Sequence, residues 1–433
     1  MSQPRDLQHE FYDMLMESQY WLPETMLNYQ RSQLTQLLRH ARANVPFYEK
    51  RLDPVFTASG DIDWDRWSEI PIVRRSDMVE HRDAMQARLL PRGHGPVGVI
   101  ETSGSTGLPI KITISTIATY SAAALRWRGH RWQNLDWSKT TLSRLGDGEH
   151  ASAWPEGEDR GPWGPPGSSG TLWSISRLFE TPDVVRFYKQ FGASYLNAGP
   201  NMAHINAVDA QRLGLDLRIE AILVQGNVVR QADRDICREV FGARMVEIYS
   251  AKEGGPIANP CPHDRLHINA EGCLVEILDA DGRPCAVGET GRVIVTPFYQ
   301  TAQPLIRYEQ GDWATAGPPC PCGRHHPVID SIRGRSIAIF QHPDGRSVAN
   351  LMPDETSTLL ACRYWQLAQT GANSYELRYV PADTGLSDET AVRALFHQTY
   401  FADANLTFVR SASIPLSSGG KLVEYVSEWQ PRR

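Results

Sequence analysis

The sequence predicts a mixed α/β protein: a large N-terminal domain of layered α/β build with a β-hairpin subdomain, followed by a small mobile α+β C-terminal domain. Three observations carry that expectation. Helix-like and strand-like segments alternate from residue 182 to residue 249, the pattern of a layer with parallel strands. From residue 272 the pattern changes to CLVEILD, a DADGRP turn and GRVIVT, which reads as a β-hairpin. Beyond residue 336, strand candidates near 364–369, 374–380 and 405–410 accompany a helical pattern near 388–400. The boundary is expected at RGRS, giving domains 1–335 and 336–433.

Taken in order, residues 24–45 put Leu34, Leu37, Leu38 and Ala41 at helical spacing ahead of Pro46. The short runs VGVIE (97–101) and KITIS (111–115) read as strands joined by a Gly-rich loop. Residues 146–170, rich in Gly, Pro, Ser and Trp, read as a long irregular loop. PDVVRFYKQFG and VRQADRDICREVFG then read as helices, the second stopped by Gly242. ASYLNAG and ARMVEIY read as the strands that follow them.

Bulk properties exclude several function classes. The 433 residues have 41% hydrophobic and 22% charged content, as folded globular chains do. A net charge of −6 with no basic tract argues against a nucleic-acid surface. No run of 18 apolar residues suggests a membrane span, and the charged N-terminus lacks a signal-peptide core. The cytoplasm is therefore the expected location. The seven cysteines do not make a disulfide scaffold, so a Cys cluster reads more naturally as a metal site.

Five stretches carry candidate chemistry. Thr102, Ser103, Gly104, Ser105, Thr106 and Gly107 offer hydroxyls and flexible backbone N–H groups that could curve around an anion. The stretch lacks the Gly-Lys-Ser/Thr of a Walker loop, and a solvated turn is the plainer reading. Tyr249, Ser250, Lys252 and Glu253 follow a predicted strand, where α/β sheets bind ligands; a Tyr there can stack on a base and a Glu can hold Mg²⁺. Asp312, after Gly311, is a good acceptor for two ribose hydroxyls. Arg335 lies in an Arg-Gly-Arg that suits a phosphate, a ribose or a linker. Lys421 ends PLSSGGK, a loop able to present a cation to a site on another domain.

In this order and spacing the motifs resemble the adenylate-forming superfamily, closest to its phenylacetate–CoA ligase branch with the coenzyme F390 synthetase-like relatives. The resemblance runs nearly end to end. ANVPFYEKRL and EIPIVRRSDM look like that branch's N-terminal region. ETSGSTGLP, CPHDRLHIN, GETGRVIVTPFYQTAQPLIRYEQGD, CPCGRHHPVIDSIRGR and PLSSGGK look like its later blocks.

The resemblance implies an AMP-forming ligase working in two steps. A carboxylate, most simply an aromatic one, attacks the α-phosphorus of Mg·ATP and displaces pyrophosphate. The thiol of CoA then takes the acyl group and AMP leaves. The loop 102–107 would hold the β- and γ-phosphates, Tyr249 would lie against adenine and Glu253 would bind Mg²⁺. Ser250 and Lys252 would belong to the same nucleotide site. Asp312 would hold the ribose, Arg335 would add a ribose or phosphate contact, and Lys421 would bridge the attacking carboxylate and the α-phosphate. Asn197, Gly199, Gly226 and Asn227 would line the acyl pocket, with the tryptophans at 127, 132, 137, 154, 163 and 173 either near that pocket or in the core.

Cys261, His267, Cys320 and Cys322 supply three thiolates and an imidazole, a set that zinc favours, with His263 competing for the imidazole place. Similarity to zinc-carrying members of the branch implies a closed structural Zn²⁺. The sequence departs from the family at Ser250 and Lys252, where Gly and a hydroxyl residue are usual, and in the hinge run Arg335-Ser336-Ile337-Ala338. It also departs in FQHPDGRSVANLMP, near the expected CoA tunnel. An amine or a carrier protein therefore stays open as acceptor, as does a homodimer. A reading of another class is a zinc-stapled binding protein without catalysis.

Overall fold

The computed structural model describes residues 7–101, 110–146, 156–176, 179–226, 229–335, 340–344, 347–348, 352–353, 355–382, 385–415 and 423–429. The chain divides into two compact units. One comprises Met1–Ser138, Pro162–Ser169 and Val246–Arg335; the other comprises Lys139–Gly161, Gly170–Met245 and Ser336–Arg433.

In the first unit, helix Pro23–Asn44 forms where its apolar spacing predicts, with Pro in its first turn, where a missing N–H costs nothing. Leu37, Leu38 and Ala41 are buried against Tyr48, Ile112 and Ile306. Each such leucine contributes roughly 1.5–3 kcal/mol. The strands Val97–Glu101 and Lys111–Ser115 pair antiparallel, with Glu101 opposite Lys111. Helix Thr116–Trp132, which sequence periodicity does not reveal, has Ala124, Leu125, Trp127, Arg128, His130 and Trp132 all buried. With helix Leu7–Ser18 and the antiparallel sheet packed around it, it keeps no long polar stripe for a periodicity search to find.

That sheet has seven strands in the order Cys273–Leu278, Thr290–Pro297, Tyr308–Gly317, Val328–Arg335, Leu266–Ile268, Gly255–Pro260, Tyr249–Ala251. The predicted hairpin is its first pair, Cys273 facing Pro297 and Leu278 facing Arg292. Its turn is built as DADGRP suggests: Asp279 Oδ1 accepts from the backbone N–H groups of Asp281 and Arg283, and Gly282 takes φ 81°.

The second unit contains the α/β layer. Its strand order is Glu158–Pro162, Thr171–Ser176, Thr140–Gly146, Ala193–Ala198, Ala221–Val224, Arg244–Glu247. The four central strands are parallel. Helices Thr181–Gln190, Pro200–Leu213 and Gln231–Phe241 cover the sheet, burying Val184, Phe187, Ala207 and Phe241 with Leu196 and Ile222. Gly242 stops the last helix at φ 67° and donates to the Arg238 carbonyl. Two expectations change. The span 146–170 is not wholly irregular, since Glu158–Pro162 is an edge strand whose Gly and Pro hid it. ARMVEIY is not one strand: Arg244–Glu247 ends the parallel sheet and Tyr249–Ala251 begins the antiparallel one.

The C-terminal part of this unit is a mixed sheet ordered Asn405–Arg410, Ser374–Pro381, Cys362–Gly371, Tyr425–Ser427, with helix Glu389–Thr399. Leu367, Tyr375, Leu377, Val392 and Phe396 form its core.

Candidate active site and metal centre

The nucleotide-site candidates of the first unit are carried by the antiparallel sheet, some on its edge strand and some on inner strands. Tyr249 opens the edge strand Tyr249–Ala251, and its hydroxyl donates to Asp312 Oδ2 at 2.7 Å. Both residues are buried, each 7% exposed. Asp312 sits in strand Tyr308–Gly317 just after Gly311, whose φ of 86° lets the strand turn locally. In the backbone register Asp312 lies opposite Arg335, so two residues expected to meet a ribose share one rung of the sheet.

Glu253 follows the same edge strand and is buried, with Arg75 Nη1 3.9 Å from its Oε1. Sequence reasoning did not pick out Arg75; its stretch, EIPIVRRSDM, carried no spacing that would have done so. Lys252 donates from Nζ to the Glu101 carbonyl at 2.7 Å, so it grips the residue immediately before Thr102. Ser250 pairs with Pro256 across the edge. Residues Thr102–Gly107, Asn227 and Lys421 lie outside the described residues, and Arg335 is described by its backbone alone.

Arg307, in the same motif as Asp312, has φ 54°, a left-handed conformation that a non-glycine residue adopts only when held there. Its guanidinium is fastened to the carbonyls of Ser68 and Ile70 and to both oxygens of Glu276, while its N–H donates to Thr296 Oγ1.

The acyl-pocket candidates belong to the second unit. Asn197 and Gly199 stand at the carboxyl end of strand Ala193–Ala198, and Gly199 is the N-cap residue of helix Pro200–Leu213. Asn197 pairs in register with Ser143 on one side and Leu223 on the other. Strand Thr140–Gly146 has Thr171–Ser176 on one flank and the later Ala193–Ala198 on the other, so successive connections leave it in opposite directions, which makes this the switch point of the sheet, where α/β folds bind ligands. Gly226 follows the neighbouring strand with φ 90°. The tryptophans fall to packing or to polar networks: Trp173 stacks on Phe191 at 4.0 Å, Trp127 meets Tyr12 edge-on, and Trp163 lies against His130. Trp154 is outside the described residues.

Cys261, His267, Cys320 and Cys322 place one ligand atom each within 4.8 Å of all the others. Cys261 Sγ lies 3.7 Å from Cys320 Sγ, and Cys322 Sγ lies 3.4 Å from His267 Nε2. A tetrahedral zinc with ordinary bond lengths requires edges of about 3.8 Å for S–S and about 3.6 Å for S–N, so the donor set fits that ion. Burial, with His326 nearby, pushes the His267 imidazole down to about 4, which keeps it in the neutral form that binds metals. His263 is exposed and stands outside the cluster.

Around the cluster, Gln133 Nε2 donates to the Cys261 carbonyl at 2.7 Å, and Trp132 stands edge-on to His267. Beside it Glu271, fully buried, accepts from Arg128 Nη1 at 2.6 Å, from His326 Nε2 at 3.0 Å and from Ser18. Nothing in the sequence marked this polar knot, because its members are scattered from residue 18 to residue 326.

No protein-family profile matches the chain. It is 26% identical over 324 residues to the phenylacetate–coenzyme A ligase of Thermus thermophilus, covering 71% of this chain and 69% of that one. A crystal structure of 2-hydroxyisobutyryl-CoA ligase, in the postadenylation state with 2-HIB-AMP, matches 98% of this chain and 93% of that one, with a TM-score of 0.72 at 18% identity. An anthranilate CoA ligase in complex with anthranoyl-AMP matches 81% of this chain and 76% of that one, with a TM-score of 0.55 at 13% identity. No helix of the described residues is long and apolar enough to cross a membrane. The chain thus shares the fold of these CoA ligases and is similar in sequence to a phenylacetate–coenzyme A ligase.

Proposed function

We propose that the protein is an AMP-forming acyl- or aryl-CoA ligase. A carboxylate oxygen attacks the α-phosphorus of ATP while the bond to the bridging β-oxygen breaks and pyrophosphate leaves. The sulfur of CoA then attacks the acyl carbon, and AMP departs with the bonding pair. The observation that carries this reading is the buried Tyr249–Asp312 pair with Glu253 on the same edge strand's exit, in a chain homologous to a phenylacetate–CoA ligase.

The residues divide the work by chemistry. Tyr249 offers a ring face to adenine and Asp312 acceptors to the ribose hydroxyls. Glu253 is a buried carboxylate suited to the Mg²⁺ that accompanies ATP. Lys252, holding the Glu101 carbonyl, anchors the start of the loop assigned to the β- and γ-phosphates. Lys421 supplies positive charge where it develops in the transition state, the place where a fixed cation lowers a barrier most. Asn197, Gly199, Gly226 and Asn227 are assigned to the acid. Cys261, His267, Cys320 and Cys322 would hold a structural zinc, the three thiolates and one imidazole making up its four ligands. In this reading residues 1–335 bind ATP and acid, and 336–433 form the domain that brings Lys421.

A screen of pyrophosphate release over aryl and aliphatic acids, with and without CoA, tests the reading. Acid-dependent release that CoA accelerates, with thioester formed, is the expected result. Release with no thioester would assign the acyl group to an amine or a carrier protein. No release with any acid would favour the binding-protein reading.

A further inference from the structure

The four candidate metal ligands come from two stretches of the first unit, and each stretch is fastened from outside. Gln133, the C-cap residue of helix Thr116–Trp132, donates from Nε2 to the carbonyls of Pro260 and Cys261, at 3.1 and 2.7 Å. Trp132 stands edge-on to His267, their ring centroids 5.9 Å apart. Cys320 and Cys322 lie on the connection between Gly317 and Val328, which has neither helix nor strand. No sheet ladder fixes their place. Arg324, two residues beyond Cys322, ties that connection down: its guanidinium carbon lies 4.4 Å over the Trp132 ring, and its Nε donates to Gln19 Oε1 at 3.2 Å.

Gln19 is where these ties meet. The same Oε1 accepts from Trp132 Nε1 at 2.8 Å, so one oxygen serves the ligand loop and the helix beside it. The residue is 3% exposed, and removing a buried acceptor would leave two donors without their partner.

Gln19 directly follows helix Leu7–Ser18, which is thinly held. Of its twelve residues only Leu15 and Ser18 are buried. Leu15 packs with Ala124, Leu125 and Trp127, and Ser18 donates to Glu271. Tyr20 brings its ring to 5.6 Å from the Arg324 guanidinium carbon. The helix is thus gripped at its C-terminal end, by the same side chains that grip the loop of Cys320 and Cys322.

We propose that the metal centre and helix Leu7–Ser18 are coupled through Gln19, Trp132 and Arg324, so that the N-terminal helix strengthens metal binding and the metal holds the helix in place. The inference rests on the metal reading given above. Gln19 and Arg324 are positioning residues, since neither supplies a ligand atom. The donor atoms already stand near the spacing a metal requires, so freedom returned to the ligand loop is lost from affinity. Residues that orient metal ligands contribute about 10- to 100-fold in affinity. The coupling is reciprocal by thermodynamic necessity: what the helix adds to metal binding, the metal adds to helix docking.

The test uses the full-length protein. Zinc affinity is measured by competition with a chromophoric chelator. Amide hydrogen exchange is followed in the zinc-loaded and the chelated protein. Gln19→Leu and Arg324→Met are each expected to weaken zinc binding by about tenfold or more. Gln19→Glu keeps an acceptor for both donors and is expected to stay within about threefold of wild type. Chelation of the wild type is expected to speed exchange in residues 7–18 by about tenfold or more. Residues 34–44, whose Leu37, Leu38 and Ala41 face Tyr48 and Ile306 instead, are expected to change less than about twofold. Zinc affinity within about threefold of wild type in both Gln19→Leu and Arg324→Met would overturn the inference and leave the metal reading standing. An equal rise of exchange in both helices on chelation would show that the metal acts on the whole unit, and an equal loss of affinity in Gln19→Glu and Gln19→Leu would show that the shared acceptor is not the link; either result also overturns it. No zinc binding by the wild type would remove the metal reading and this inference together.

Discussion

The hydroxyl of Tyr249 donates to Asp312 Oδ2 at 2.7 Å, joining two buried residues that are 63 positions apart in sequence. The pair links the edge strand of the antiparallel sheet to one of its inner strands. It sets the carboxylate's direction before any nucleotide arrives, because one of its oxygens is already committed to the phenol. A preset acceptor needs less ordering when ligand binds.

Asp312→Ala should raise the apparent Kd for ATP by roughly 10- to 150-fold, since hydrogen bonds to a charged group contribute about 1.5–3 kcal/mol. Tyr249→Phe, which keeps the ring and releases the carboxylate, should cost less than Asp312→Ala. Calorimetric titration with ATP measures both, and equal affinities in Asp312→Ala and wild type would reject the ribose assignment.

Lys421→Ala should lower ATP–pyrophosphate exchange by at least about tenfold, or about 1.4 kcal/mol of transition-state stabilisation. Thermal stabilisation of the variant by ATP should persist, because the nucleotide contacts proposed above lie on other residues. Unchanged exchange would refute the role given to this lysine.

The purified protein should carry close to one equivalent of zinc. Cys261→Ser and Cys320→Ser should each bring it below about 0.2 equivalents and lower the melting temperature, because metal binding and folding are coupled. Elemental analysis alongside a thermal melt checks the prediction; a wild-type protein already below that level would argue for unmetallated thiols.

Asp233 carries a pH signature. Burial pushes its carboxyl up, but His204 and Arg230 more than reverse this and bring it down to about 2 from an ordinary 3.8. A carboxyl depressed in the folded state adds stability that is full above its ordinary value and lost as pH falls through its folded value. The stability gap between wild type and Asp233→Asn should therefore be constant above about pH 5 and shrink between about pH 4 and pH 2. Thermal melts across that range measure it, and a gap independent of pH would show that Asp233 acts through shape alone.

The polar knot beside the metal cluster gives a stability prediction. Arg128 and Glu271 are both fully buried, so Arg128→Met leaves a carboxylate with reduced compensation and should destabilise the fold by about 3–5 kcal/mol. Arg128→Met combined with Glu271→Leu should be the milder change. Denaturant melts of the three proteins compare them, and a double variant weaker than Arg128→Met would contradict the argument.

Local signals reached far into this structure where the pattern was one-dimensional. Leu34, Leu37, Leu38 and Ala41 announced a helix because one face meets the core and the other meets water. Asp279 and Gly282 announced a turn because its hydrogen bonds close within five residues. Helix Thr116–Trp132 stayed hidden because it is covered on nearly every side, and burial on all sides erases the stripe. The candidate metal quartet was legible through its Cys-x-Cys spacing, whereas only the sheet brings His267, and not His263, beside the three cysteines. Arg75, Arg230 and Glu424 were not legible. Each owes its partner to tertiary approach, and an arginine or a glutamate in isolation reads as an ordinary surface charge.

The quartet at 261, 267, 320 and 322 would tie together distant parts of the first unit if it held a metal. A metal ion there would close a covalent-like ring through the chain between Cys261 and Cys320, 59 positions apart. Asp312 lies inside that ring, while Tyr249 and Glu253 lie outside it. Closing such a loop restricts the unfolded chain more than the folded one. The acceptor for the ribose would then belong to a metal-clamped segment, and the ring face for adenine to an unclamped one. Removing such a metal should accordingly lower stability through the freedom that the unfolded chain regains between residues 261 and 320.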